Sequence, residues 1–103
     1  MQKFILAYHG SPEIQTKEEG AAHMARWQEW SQGLGDSVVD PGMPVGPSMT
    51  ISESEVVEGG GSNPLSGITI IQAESMEDAI TMAKDCPHLS GTGTIEIAPA
   101  MEM

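Results

Sequence analysis

The pattern that most constrains this chain occurs twice: an extended apolar run, a capped amphipathic helix, then another extended run. Residues 2 to 9 alternate Phe4, Leu6 and Tyr8 against Ile5, Ala7 and His9. Apolar groups on both faces predict a central strand covered on two sides. Gly10-Ser11-Pro12 breaks that strand, and Thr16-Lys17-Glu18-Glu19 has the form of a capping box, so a helix is expected over about 17 to 34. On it His23, Trp27, Trp30 and Leu34 share one stripe, which puts the histidine on the buried side. Gly33 and Gly35 end the helix, and Ser37 to Asp40 begin a short extended run broken by Pro41, Gly42, Pro44 and Pro47, as in an edge strand.

Residues 48 to 57, with Met49, Ile51, Val56 and Val57 among polar neighbours, suit a polar-faced hairpin. The loop from Gly59 to Pro64 is expected to be the most mobile internal segment, because consecutive glycines lose the most backbone entropy on ordering. Residues 67 to 73 are dominated by β-branched side chains and predict a second central strand. Ser75-Met76-Glu77-Asp78 then offers an N-cap, and Met76, Ala79, Ile80 and Ala83 supply a helical apolar stripe that stops before Cys86-Pro87. Residues 92 to 98 make the last strand. The expected architecture is a single domain over 1–103 of the α+β class. It is a ferredoxin-like split β-α-β with an inserted hairpin, both helices lying on one face of an antiparallel sheet. With no third helix to cover the other face, a second copy is the economical cover, and the two sheets would form a homodimeric α/β barrel.

Charge narrows the partners. Four Lys and Arg stand against 15 Asp and Glu, a net charge of -11, and the cations Lys3, Lys17, Arg26 and Lys84 are scattered. Such a chain repels phosphate backbones and anionic membranes, so neither nucleic acid nor membrane is an expected partner. The apolar run from Phe4 to Tyr8 is too short to span a bilayer and lacks the flanks of a secretory signal, which makes the cytoplasm the expected compartment. Cys86 is the only cysteine, so no internal disulfide can form, and the three histidines are spaced like no compact metal motif. The glycines of 59 to 61 are followed by Ser-Asn-Pro rather than by a lysine and a helix, and so carry no phosphate-cradling signature. No cofactor is expected.

The order of several short motifs is distinctive. Lys3-Phe4-Ile5-Leu6-Ala7-Tyr8, the helix around His23, Asn63-Pro64-Leu65-Ser66-Gly67 with Ile70-Ile71-Gln72-Ala73, Cys86-Pro87-His88-Leu89 and Gly93-Thr94-Ile95-Glu96-Ile97 follow one another along nearly the whole chain. Together they resemble the YCII-related (DGPF) domain family. The resemblance implies a ferredoxin-like dimeric barrel, similar to muconolactone isomerase in fold, and an acid/base site built from a helix histidine and an aspartate. His23 in Ala21-Ala22-His23-Met24-Ala25 matches the histidine. The Asp-Gly-Pro-Phe stretch is absent, with Val57-Glu58-Gly59-Gly60 in its place.

A histidine near neutral pKa can pass a proton either way at pH 7, and a carboxylate on its far nitrogen fixes the tautomer. His23 with Asp40, or with Glu58 as second choice, could do this. The alternatives are that His23 is a core histidine bonded to a backbone carbonyl, Asp40 a turn residue and Glu58 a solvated hairpin charge. His88 could line the same pocket or complement a helix dipole. Tyr8 ends the first strand. Trp27, with Trp30, could wall a ligand or fill the helix-to-sheet layer, and Cys86 could be a nucleophile or a small buried hydrophobe. Two functions follow. One is isomerase or lyase-type proton transfer on a small organic molecule. The other is a non-catalytic small-ligand-binding or accessory module.

Overall fold

The computed structural model describes residues 1–10, 15–61 and 63–101. The expected break at Ser11-Pro12 and part of the glycine loop, at Ser62, lie outside the described residues. Strand β1 (Gln2–His9) is followed by helix α1 (Lys17–Leu34), strand β2 (Val38–Pro44), the short strands β3 (Met49–Ile51) and β4 (Val56–Glu58), strand β5 (Leu65–Ala73), helix α2 (Met76–Lys84) and strand β6 (Thr94–Pro99). The result is a small α+β fold in which β2-β5-β1-β6 form a four-stranded antiparallel sheet and β3 pairs with β4 alone. The two longest strands, β1 and β5, are central as their composition predicts. Among the described residues β2 and β6 are the sheet's two edges, and the sheet is not closed into a barrel.

Local chemistry starts the helices where expected. Thr16 Oγ1 accepts the Glu19 N–H at 3.0 Å, while the Glu19 carboxylate takes the N–H of Gln15 at 2.8 Å, one residue earlier than a strict capping box places it. Ser75 caps α2 through the Asp78 N–H at 3.2 Å. Gly35 ends α1 at φ +55°, where a side chain would strain the backbone.

Both helices press on the same sheet face. Trp30 of α1 and Ala79 of α2 share one buried core with Phe4, Leu6, Tyr8 and Ile71, and the Trp30 indole N–H donates to the Met82 carbonyl at 2.9 Å, joining the helices directly. The α1 stripe is as expected, with His23 and Trp30 buried and Trp27 and Leu34 packed against the core. On α2 the stripe narrows, because Ala79 and Ala83 are buried but Ile80 is 40% exposed. Within the single chain only one side of the first strand is covered: Ile5, between buried Phe4 and Leu6, is 39% exposed. With both helices on one face, nothing among the described residues covers the other, where Ile5 pairs with Ile70 and Ala7 with Ile68.

Strand β2 runs further than its prolines and glycine suggest. It is an edge strand, so Pro41 and Pro44 are tolerated, and register shifts between Val38 and Asp40 and between Asp40 and Met43 absorb the irregularity. Gly42 sits at φ +69°, and a Cβ there would overlap the Ile68 carbonyl. Only glycine lets β2 approach β5 this closely.

Candidate functional site

Between α1 and the β2–β5 side of the sheet lies a cavity of about 550 Å³. Tyr8, His23, Trp27 and His88, four of the residues singled out from sequence, all line it, together with Met24, Gln28, Pro41, Gly42, Met43, Ile68 and Thr69. The helical stripe brings His23 and Trp27 to one wall, and β1 brings Tyr8 to the floor opposite Gly67. The absence of a side chain at Gly67 leaves room for the Tyr8 ring, since a Cβ there would stand 3.3 Å from it. Pro87 opens the short turn that delivers His88 beside the end of β1.

Aromatic rings tile one side. Tyr8 and Trp27 meet edge to face at 5.3 Å between centroids, Trp27 and Trp30 do so at 5.4 Å, and Tyr8 and His88 lie 5.0 Å apart at a tilt. Trp27 therefore both lines the cavity and packs on the core, so the two roles open to it are not exclusive.

His23 is buried, but its partners differ from those expected. The Trp27 indole N–H donates to Nε2 at 2.8 Å, and Arg26 Nη2 lies 3.4 Å from Nδ1. Burial holds its pKa below the ordinary 6.5, and the Arg26 charge and the neighbouring His88 act in the same direction. Indole can only donate, so Nε2 must keep its lone pair and the neutral ring carries its proton on Nδ1.

Asp40 is not the partner. Its Oδ1 accepts the Gly42 N–H at 2.8 Å, which is the turn role that its place before Pro-Gly also allows. The register puts Asp40 opposite Ile70, which pairs with Ile5 on the face away from the helices. Glu58 is exposed on the separate β3–β4 hairpin. Neither carboxylate lines the cavity. A histidine–carboxylate pair exists elsewhere: His9 Nε2 lies 3.1 Å from Glu96 Oε1, with Asn63 O at 3.0 Å from Nδ1. Both ring nitrogens of His9 thus face acceptors.

Thr69 was not distinguished within its apolar strand, yet it organises the cavity floor. The Tyr8 hydroxyl donates to Thr69 Oγ1 at 2.7 Å, and the Thr69 hydroxyl passes a bond to the Pro41 carbonyl at 3.0 Å. This relay ties β1, β5 and β2 together. The available signal was a threonine on the buried face of a central strand, where a hydroxyl needs a partner. Burial also pushes the Tyr8 phenol well above its ordinary pKa and the Cys86 thiol up to about 11. A buried thiol held in that state is a packing residue rather than a nucleophile. The His88 Nε2–H donates to the His9 carbonyl at 2.8 Å, so in the neutral ring Nδ1 keeps the lone pair.

No helix among the described residues is long and apolar enough to cross a membrane. Compared with known proteins, the chain matches no family model and no curated protein.

Proposed function

We propose that this chain is a small-ligand-binding module that takes an organic molecule with an apolar, ring-sized body into the cavity between α1 and β5. The observation that carries the proposal is the Trp27 N–H on His23 Nε2 at 2.8 Å. A general base needs a lone pair free to take a proton, and here that lone pair is already used in a fixed, buried bond. A cavity of about 550 Å³ is of the size that holds small ligands, and aromatic walls with a few fixed polar groups suit their recognition.

A single titration tests this. Methyl benzoate added to the ¹⁵N-labelled protein should give saturable shifts at the Trp27 indole N–H, Thr69 and Gly42, with no chemical conversion of the probe. Shifts that stay linear to the solubility limit, or that spread evenly over α2, would sink the proposal.

A second reading, proton transfer on the bound molecule, draws support from His88, whose Nε2–H is tied to the His9 carbonyl and whose Nδ1 is therefore the lone-pair nitrogen. In that reading His88 would accept a proton, and His23 Nδ1–H would be the donor.

The finer description of the fold belongs to the same proposal. The strand order β2-β5-β1-β6 fits a ferredoxin-like split β-α-β with the β3–β4 hairpin inserted between its second and third strands. The open sheet face around Ile5 and Ile68 is where a second copy would pack to complete a dimeric barrel. Membership of the YCII-related family is supported by the order of the sequence motifs alone.

A further inference from the structure

The make-up of the cavity wall bears on the charge of what it can hold, an inference that rests on the binding proposal above. Asp, Glu, Lys and Arg make up 18% of the chain, yet among the described residues none of them lines the cavity. Much of the wall is Tyr8, Trp27, Met24, Met43, Pro44 and Ile68. Apolar surface continues to the rim, because Met24 and Met43 are 60% and 67% exposed. Several of the polar groups at the wall are already engaged with one another. The Tyr8 hydroxyl donates to Thr69, the Thr69 hydroxyl to the Pro41 carbonyl and the Trp27 indole to His23.

Two titratable groups of the wall register what these surroundings do to charge. Burial lowers the pKa of His23, which disfavours a cation, and raises that of Tyr8, which disfavours an anion. A bound ion would lose hydration in the same place and meet no counter-charge among the described wall residues. The net charge of -11 draws cations toward the molecule as a whole, but that field acts through solvent and is screened over about 8 Å at physiological salt. We propose that the ligand is an uncharged molecule, a ring-sized alcohol, ketone, ester or lactone rather than a carboxylate, a phosphate or an ammonium.

Benzyl alcohol, benzoate and benzylammonium share one ring and differ in charge. Calorimetry at pH 7 and about 0.15 M salt would give their dissociation constants, and the Trp27 indole and Thr69 amide resonances of the ¹⁵N-labelled protein would place each probe. The alcohol should bind at least about tenfold more tightly than either ion. Raising the pH to about 10.5 converts most of the benzylammonium into the free amine, whose affinity should approach that of benzyl alcohol at the same pH. Equal or tighter binding of benzoate or benzylammonium at pH 7 would overturn the assignment of an uncharged ligand and leave the binding proposal standing. An amine whose affinity does not rise with pH would overturn that assignment too. Failure of all three probes to saturate, or saturation without a shift at Trp27 or Thr69, would overturn the binding proposal and this inference with it.

Discussion

At His23, burial, the Arg26 charge and the neighbouring His88 all disfavour the imidazolium, and the Trp27 N–H adds to them because protonating Nε2 would set hydrogen against hydrogen. The unfolded ring has the ordinary value of 6.5 and the folded ring a lower one. In the interval between them only the unfolded chain takes up the proton. The stabilisation is therefore complete above about pH 6.5 and is lost as pH falls through the folded value. Urea midpoints should drop between roughly pH 7.5 and 5.5, and His23→Gln should remove this residue's share of the drop. Trp27→Phe keeps most of the ring packing but frees Nε2. It should cost about 1 kcal/mol of stability and raise the pKa of His23, which NMR titration of the ring protons reads directly. An unchanged pKa would show that the indole bond has no part in holding the ring neutral. The histidine, the tryptophan and their shared helix face were legible from i, i+4 spacing. The carboxylate partner was not, because Asp40 is close to α1 in sequence but the register carries it to the opposite sheet face.

Strand β2 and helix α1 place two glycines in opposite situations. Gly33 lies within α1 with nothing within 4 Å of a built Cβ, whereas Gly42 combines φ +69° with overlap on the Ile68 carbonyl. Gly33→Ala should raise stability by about 0.5–1 kcal/mol, since alanine loses less backbone entropy in a helix. Gly42→Ala should lower it by about 1–3 kcal/mol and loosen the β2–β5 pairing. The same urea titrations, with amide exchange at Thr69 and Ile71, distinguish the two. If Gly42→Ala proved neutral, the close approach of β2 would not be required. The prolines of β2 predicted its edge position correctly but not its length, because an edge strand can leave N–H groups unpaired and carry bulges without losing its place.

Across the molecule the α-carbons have a radius of gyration of 14.8 Å and extents of 44 × 43 × 18 Å, whereas a compact chain of this length would have a radius of about 13 Å. The excess reflects a single-layered sheet backed on one side and a β3–β4 hairpin paired only with itself. The hairpin leaves Met49, Ile51 and Val56 more than half exposed. Ile5 and Ile68 on the open sheet face and Met49, Ile51 and Val56 on the arm all expose apolar side chains on one thin molecule, the kind of surface that marks an interaction site where it is contiguous. If a second copy covers the face, sedimentation should give twice 10.9 kDa at micromolar concentration, and Ile5→Glu, which puts a charge where Ile5 pairs with Ile70, should yield a folded monomer. A wild-type monomer, or an Ile5→Glu protein that remains dimeric, would remove the sheet-face interface.

Periodicity and capping alone determined the six strands and two helices, the central place of β1 and β5, and the helix face that carries His23, Trp27 and Trp30. These are short-range properties, set by side-chain alternation, turn residues and the first hydrogen bonds of each helix. Strand register and the pairing of side chains distant in sequence were decided only in three dimensions. A shift of one residue in register moves a side chain to the other face of a sheet. Register thus directs Asp40 away from the cavity and brings Glu96 to His9. It also sets Thr69 between Tyr8 and Pro41, a hydroxyl relay spanning 61 residues on one side and 28 on the other. The sequence supplied the ring at position 23. Its indole partner is a helix neighbour at i+4, but the burial that holds the ring neutral came only with packing of α1 on the sheet, because hydrogen bonding within a buried site depends on direction and distance, which spacing along a chain bounds but does not specify.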